Sequence, residues 1–244
     1  ALWQSADTSY KLGQRESGAW KPPRKLPACW NVSFKSLTLE LRLTERGQLG
    51  VFPEQKWNWG WIGRQVARAG GGMNVLNLFA HTGASTLAAA AAGARVTHVD
   101  SSRSSVSWAR RNAKHSGLEG APIRWIVDDV PQFVCRELRR QNHYDAVILD
   151  PPSFGRGPDG ETWKLTDQLI GLLDRCAELT ASRAAFYLLT CHTSGIGSAE
   201  ISAYLSSLLG SCQAEVAAEG LRLTSRDGRR LSCGVAARWG SRES

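Results

Sequence analysis

From residue 74 onward the chain alternates short apolar runs with longer amphipathic or alanine-rich stretches. Asn74–Phe79 (NVLNLF), Arg95–Asp100 (RVTHVD), Arg124–Val127, Tyr144–Leu149 (YDAVIL) and Ala184–Thr190 have the length and composition of buried strands. Between them, Ser85–Ala92, Ser104–His115, Pro131–Gln141 and Lys164–Thr180 carry helical patterns, and a further helix is expected over Ser198–Leu209. Two last strands, Gly220–Ser225 and Leu231–Trp239, flank the turn Asp227-Gly228. Strands that alternate with helices predict an α/β fold, a doubly wound parallel sheet with right-handed crossovers. The terminal pair adds an antiparallel hairpin to it.

Residues 1–70 follow another rule and read as a small α+β appendage before the domain of residues 71–244. Asn31–Leu43 (NVSFKSLTLELRL) alternates apolar and polar positions and predicts one strand. Lys21-Pro22-Pro23-Arg24-Lys25 is a basic loop that its prolines keep out of regular structure. Gly50-Val51-Phe52-Pro53-Glu54-Gln55 leads into a helix bearing Trp57, Trp61 and Val66. Six of the ten tryptophans lie in this segment, Trp3 among them. The segment also holds most of the charge excess. Its eleven Lys/Arg stand against five Asp/Glu, whereas residues 71–210 carry thirteen of each and residues 211–244 six against four. A basic appendage beside a neutral body suits a polyanionic partner; a merely solvated basic surface is the plain alternative.

Composition removes several classes. No apolar run approaches the ~20 residues of a membrane span. The six cysteines, Cys29, Cys135, Cys176, Cys191, Cys212 and Cys233, form no C-x-x-C pair, so no metal site is implied. They read as reduced, buried thiols of a cytoplasmic protein. The one methionine is Met73, so initiation is expected upstream of Ala1, and an organellar leader stays open.

The chemistry gathers in the loops after the first four strands of the sheet, where open α/β sheets bind ligands. Phe79-Ala80-His81-Thr82-Gly83-Ala84-Ser85 has one glycine before its helix, too few for the G-x-G-x-x-G of a dinucleotide site. It can still wrap a carboxylate at a helix N-terminus. Asp100, followed by Ser101, can accept both hydroxyls of a ribose, or else cap the next helix. Asp128-Asp129 offers a carboxylate to an adenine amino group, with Asp129 favoured; capping the helix at Pro131 is the alternative, and the two roles are compatible. Asp150-Pro151-Pro152-Ser153-Phe154 sets an acid at a strand end before a rigid rim of prolyl carbonyls, and Phe154 can stack a flipped base.

Taken with Val75–Ser85, Val99-Asp100, Trp108–Asn112 (WARRN), Asp145–Phe154 (DAVILDPPSF) and Leu188–Thr190, these loops resemble the methyltransferase family that includes the bacterial 23S rRNA (cytosine-C5)- and (guanine-N7)-methyltransferases. Gly50–Gln55, Gly160–Leu165 and Leu231–Trp239 resemble a less characterised branch of it. The resemblance implies a Rossmann-like class I methyltransferase sheet, S-adenosyl-L-methionine as cofactor, an RNA substrate and, at Asn112, a further cofactor-site position. It also implies an upstream β-rich segment. In the cytosine-C5 enzymes a cysteine lies three residues after the threonine matching Thr190. Here that position is Thr193, and a hydroxyl without a strong base is a poor nucleophile. Cys191 could serve only in a shifted register, and His192, in a polar loop beside the target pocket, is a second candidate. Nitrogen methylation is therefore expected over carbon methylation. Methylation of a protein or small molecule, or an inert RNA-binding module, are the competing functions.

Overall fold

The computed structural model describes residues 6–13, 18–21, 26–181, 183–209 and 216–240. Trp3, Pro22–Lys25 and Cys212 lie outside them. A seven-stranded sheet forms the centre, ordered β12-β13-β11-β8-β5-β6-β7. Its parallel strands are β5 (Asn74–Leu78), β6 (Arg95–Asp100), β7 (Ile123–Val127), β8 (Ala146–Leu149) and β11 (Phe186–Cys191). β12 (Ala217–Thr224) and β13 (Arg230–Gly240) form the terminal hairpin, and β13 runs antiparallel to β11. The crossover helices are α2 (Ala84–Ala91), α3 (Arg103–His115), α4 (Val130–Arg139), α5 (Leu165–Thr180) and α6 (Ser198–Leu209).

The central strands are apolar throughout because helices cover both faces. Successive residues point to opposite sides, so Leu76 and Leu78 enter a core with Phe133, Leu172 and Tyr187, while Val75 enters another with Leu87, Ile148 and Leu188. The second core reaches back past residue 70. Leu37, Leu39, Trp59, Trp61, Ile62 and Val66 belong to it, carried by β4 (Leu37–Leu41) and α1 (Lys56–Arg68). Burying Ile62 and Val66 completely stabilises this junction by about 1.5–3 kcal/mol each. Trp57, on the other face of α1, is exposed.

Four local features depart from the sequence expectations. Asn31–Leu43 is not one strand but a hairpin of β3 (Trp30–Phe34) and β4, turning at Lys35 with φ 52°. Both arms keep the alternation, and the turn lacks glycine or asparagine, so the pattern hides the reversal. A short hairpin of β9 (Phe154–Arg156) and β10 (Thr162–Lys164) follows the two prolines, and another joins β1 (Ser9–Leu12) to β2 (Gly18–Lys21). Cys29 is exposed rather than buried. Among the described residues no helix is long and apolar enough to cross a membrane.

Candidate active site

The order of the strands reverses between β5 and β8, which opens a crevice at their carboxyl ends. The loop leaving β5 holds three residues at positive φ: Phe79 (56°), His81 (47°) and Gly83 (87°). Such geometry costs a non-glycine residue roughly 1–2 kcal/mol, and backbone bonds fix it here. Ala80 N donates to Val99 O at 3.0 Å, and His81 N to Asp100 Oδ2 at 2.8 Å. A Cβ on Gly83 would lie 2.9 Å from the Ala109 Cβ, so the position needs glycine sterically as well as conformationally. Gly83 is also the N-cap of α2 and offers no side-chain cap, which leaves the amides of Ala84 and Ser85 directed at the crevice.

Asp100 ends β6 and is not the cap of α3. That cap is Ser102, whose hydroxyl accepts from Ser105 N, and Asp100 Oδ1 accepts from Ser102 N at 2.8 Å. Ser101 lies on the turn between them. Burial pushes the Asp100 carboxyl up and His81 down. Each Asp100 oxygen keeps a second lone pair for a ligand hydroxyl. Asp129 caps α4 by accepting from Gln132 N at 3.1 Å, and burial raises its pKa. The neighbouring Asp128 is paired with Arg136. Asn112 is fully buried in α3, behind Thr82 of the crevice wall. Its amide donates to Thr82 O at 2.9 Å and accepts from Glu40 N at 2.8 Å, so it stitches β4 to the loop after β5.

Asp150, at the end of β8, gathers side chains from three other segments. Oδ1 accepts the Thr190 hydroxyl and His192 Nε2 at 3.1 Å, while Oδ2 accepts Gln55 Nε2 at 3.4 Å. The other ring nitrogen, His192 Nδ1, bonds the Cys233 carbonyl at 2.6 Å. Facing two acceptors, the imidazole satisfies both only as the cation, and the bond to Asp150 pushes its pKa up to about 9. Gly234, at φ 109°, leaves this seat open. A Cβ there would meet the Cys191 carbonyl at 2.5 Å and His192 Nδ1 at 2.8 Å.

The prolyl rim is only partly available. The Trp163 indole donates to the Pro152 carbonyl at 2.7 Å, and its ring packs on Phe79 with centroids 4.9 Å apart. Pro151 is buried, whereas Phe154 projects from β9 with 54% of its surface exposed. Ser153 and Thr193 share a hydrogen bond of 2.7 Å, closing the rim against the loop after β11. Cys191 is 1% exposed and packs in the core with Leu189 and Tyr187. Among the described residues no group of three His, Cys, Asp or Glu is placed to hold a metal ion.

Sequence reasoning missed Gln55, Thr190, Phe52 and Gly50 as parts of this crevice. The Thr82 hydroxyl donates to the Gly50 carbonyl, and the Phe52 ring lies 5.4 Å from His81. The segment before α1 thus forms one wall. The crevice suits a ligand with a carboxylate at the N-terminus of α2, a ribose diol at Asp100 and a reactive group near Asp150.

A profile for S-adenosylmethionine-dependent methyltransferases matches residues 15–201. A SAM-dependent methyltransferase from Agrobacterium tumefaciens shares the fold with a TM-score of 0.93 and 38% identity, over 98% of this chain and 78% of that one. A methyltransferase complexed with SAH superimposes at a TM-score of 0.79, with 19% identity over 98% of this chain and 63% of that one. Among curated proteins, the ribosomal RNA large subunit methyltransferase K/L of Syntrophotalea carbinolica is 42% identical over 92 residues, 37% of this chain. The match covers only 12% of that relative's length. By the extent of the profile match and by its sheet, the chain belongs to the S-adenosylmethionine-dependent methyltransferase family.

Proposed function

We propose that the protein methylates a base nitrogen of RNA, with Asp150 orienting the base. The observation that carries this reading is the surroundings of Asp150. Its carboxylate lies beside the cofactor loop, next to an exposed Phe154, with Thr193 where the carbon-methylating enzymes have their nucleophile. S-adenosylmethionine, when bound, supplies an electrophilic methyl group on a sulfonium. Gly83 and the α2 amides hold its carboxylate end, Asp100 its ribose, and Asp129 its adenine. Asp150 would accept a hydrogen bond from an amino group of the base and so hold a nitrogen lone pair toward the methyl group that the cofactor would supply. Phe154 stacks the flipped base, which contributes about 1–3 kcal/mol.

Two features support a polyanionic substrate. The curated relatives are named as ribosomal RNA enzymes. In addition, β13 pairs with β11 only as far as Val235 opposite Cys191, so residues 222–234 of the terminal hairpin run on past the crevice. This exposed arm carries Arg222, Arg226, Arg229 and Arg230 against a single acid, Asp227. The basic residues of segment 1–70 would add to the same grip.

The test is transfer of labelled methyl groups to an in vitro transcribed large-subunit rRNA, followed by mass spectrometry of its nucleosides. A nitrogen-methylated base is the expected product. No transfer to RNA would overturn the substrate, and 5-methylcytosine with a covalent adduct on 5-fluorocytosine RNA would overturn the mechanism. Binding should also weaken steeply with salt, more weakly so after charge reversal of Arg226, Arg229 and Arg230.

A further inference from the structure

Two stretches of the sequence, Gly50–Gln55 and Leu231–Trp239, lie far apart in the chain and have no evident chemistry of their own. Side-chain hydrogen bonds connect them. Arg238 Nε and Nη2 both donate to Asn58 Oδ1, at 2.8 and 2.5 Å. Asn58 Nδ2 donates to Gln55 Oε1 at 2.5 Å, and Gln55 Nε2 donates to Asp150. The third guanidinium nitrogen, Nη1, is taken by Glu219. Asn58 is completely buried and Gln55 nearly so.

The relay has a direction. A primary amide can present either its oxygen or its nitrogen to a neighbour, but a guanidinium has donors alone. With Arg238 on one side, Asn58 must turn its oxygen toward it and its nitrogen toward Gln55. Gln55 must then accept with its oxygen and offer its nitrogen to Asp150. Without that constraint either amide could turn over and set a carbonyl against the Asp150 carboxylate. We propose that Arg238 and Asn58 are positioning residues, which fix the polarity of this relay so that Gln55 always meets Asp150 as a donor. The proposal rests on the reading of Asp150 as the group that orients the base. His192 and Thr190 hold Oδ1, and the relay holds Oδ2, so the carboxylate plane is set from both sides.

Asn58→Asp tests this at almost constant shape, because a carboxylate accepts from both Arg238 and Gln55 and reverses the relay. Arg238→Met removes the constraint, and Arg238→Lys restores a donor. Each is made with Gln55 and with Gln55→Ala, and kcat/KM is measured on the rRNA transcript. The expected cost of Asn58→Asp or Arg238→Met is roughly tenfold with Gln55 in place, consistent with losing a hydrogen bond to a charged group. It falls below about twofold in Gln55→Ala, where the relay no longer reaches Asp150, and Arg238→Lys recovers most of the activity. Equal costs in both backgrounds would show a merely structural role and overturn the proposal. A second readout needs no substrate: NMR titration of the His192 ring, which faces Asp150, Glu54 and the Cys233 carbonyl. Reversing the relay should raise its midpoint by about half a pH unit with Gln55 and leave it unmoved in Gln55→Ala. An unmoved midpoint in both backgrounds would overturn the relay, whereas a moved midpoint without transfer to RNA would overturn only the substrate.

Discussion

Replacing His192 with glutamine should change the pH dependence of stability in a direction that the geometry dictates. The ring donates to Asp150 at 3.1 Å and to the Cys233 carbonyl at 2.6 Å, and its pKa is pushed up to about 9 from an ordinary 6.5. A raised value means that the folded state holds the proton more tightly than the unfolded one. The stabilisation is therefore complete below pH 6.5, shrinks as the pH climbs toward 9, and is absent above it. At 1.36 kcal/mol per pH unit the difference approaches about 3 kcal/mol. The His192 side chain is 35% exposed and Asp150 34%, so solvent screening reduces this to about 1–2 kcal/mol. Glutamine can still donate to Asp150 but does not titrate. Urea unfolding of both proteins at pH 6 and pH 10 measures the effect. The wild type should lead the variant by about 1–2 kcal/mol more at pH 6 than at pH 10, since other titrations cancel between them. An equal gap at the two pH values would refute the charged-imidazole account of this site.

Three further outcomes follow from other parts of the crevice. In Asp100→Asn the new amide nitrogen must face the N–H of either His81 or Ser102, so calorimetry should show S-adenosylhomocysteine binding weakened at least about tenfold; unchanged affinity in a folded variant would remove Asp100 from the ribose site. Gly50→Ala puts a Cβ 2.2 Å from the Trp108 ring at a φ of 91°, and thermal unfolding should report a loss of about 2–4 kcal/mol; a fully stable variant would mean that this wall does not pack on α3 as described. His98 is completely buried beside Thr86, and burial pushes it down to about 3, so the unfolded chain takes up a proton near pH 6.5 that the folded chain refuses. Stability should thus fall by about 2 kcal/mol from pH 6.5 to pH 5 on this account, and His98→Leu should flatten the slope; parallel slopes would count against a neutral buried imidazole.

The parallel strands were legible because burial on both faces leaves runs such as Val75–Leu78 and Ala146–Leu149 with little but apolar residues. Their loops were legible for a related reason: ligand chemistry in such a sheet sits where strands end, so Asp100, Asp129 and Asp150 stood out as acids closing apolar runs. The turn at Lys35 was not, since its positive φ is imposed by packing rather than by a residue that favours it. Asn112 was singled out by its place in the helix after Asp100, and its amide bonds two backbone groups 72 and 30 residues away, one of them Thr82 in the crevice wall.

What the sequence could not display is how the ends of the chain meet at the crevice. Gln55 lies 95 residues from Asp150, Asn58 lies 180 from Arg238, and His192 lies 41 from the carbonyl that seats it. No local periodicity encodes such pairs, because each partner alone is an ordinary polar residue in an ordinary element. The pattern becomes intelligible once the orientation of Asp150 is taken as the quantity to be held constant. A carboxylate at a strand end can rotate about its own side-chain bonds, and its strand neighbours fix only the backbone. Donors from the segment before α1, from β11 and from the loop after β11 approach it from different directions, and three such contacts restrict that rotation far more than any one of them. A carboxylate held in one orientation therefore draws on segments distant in sequence, and residues before β5 and in β13 are as much a part of its setting as the Asp150-Pro151-Pro152 turn itself.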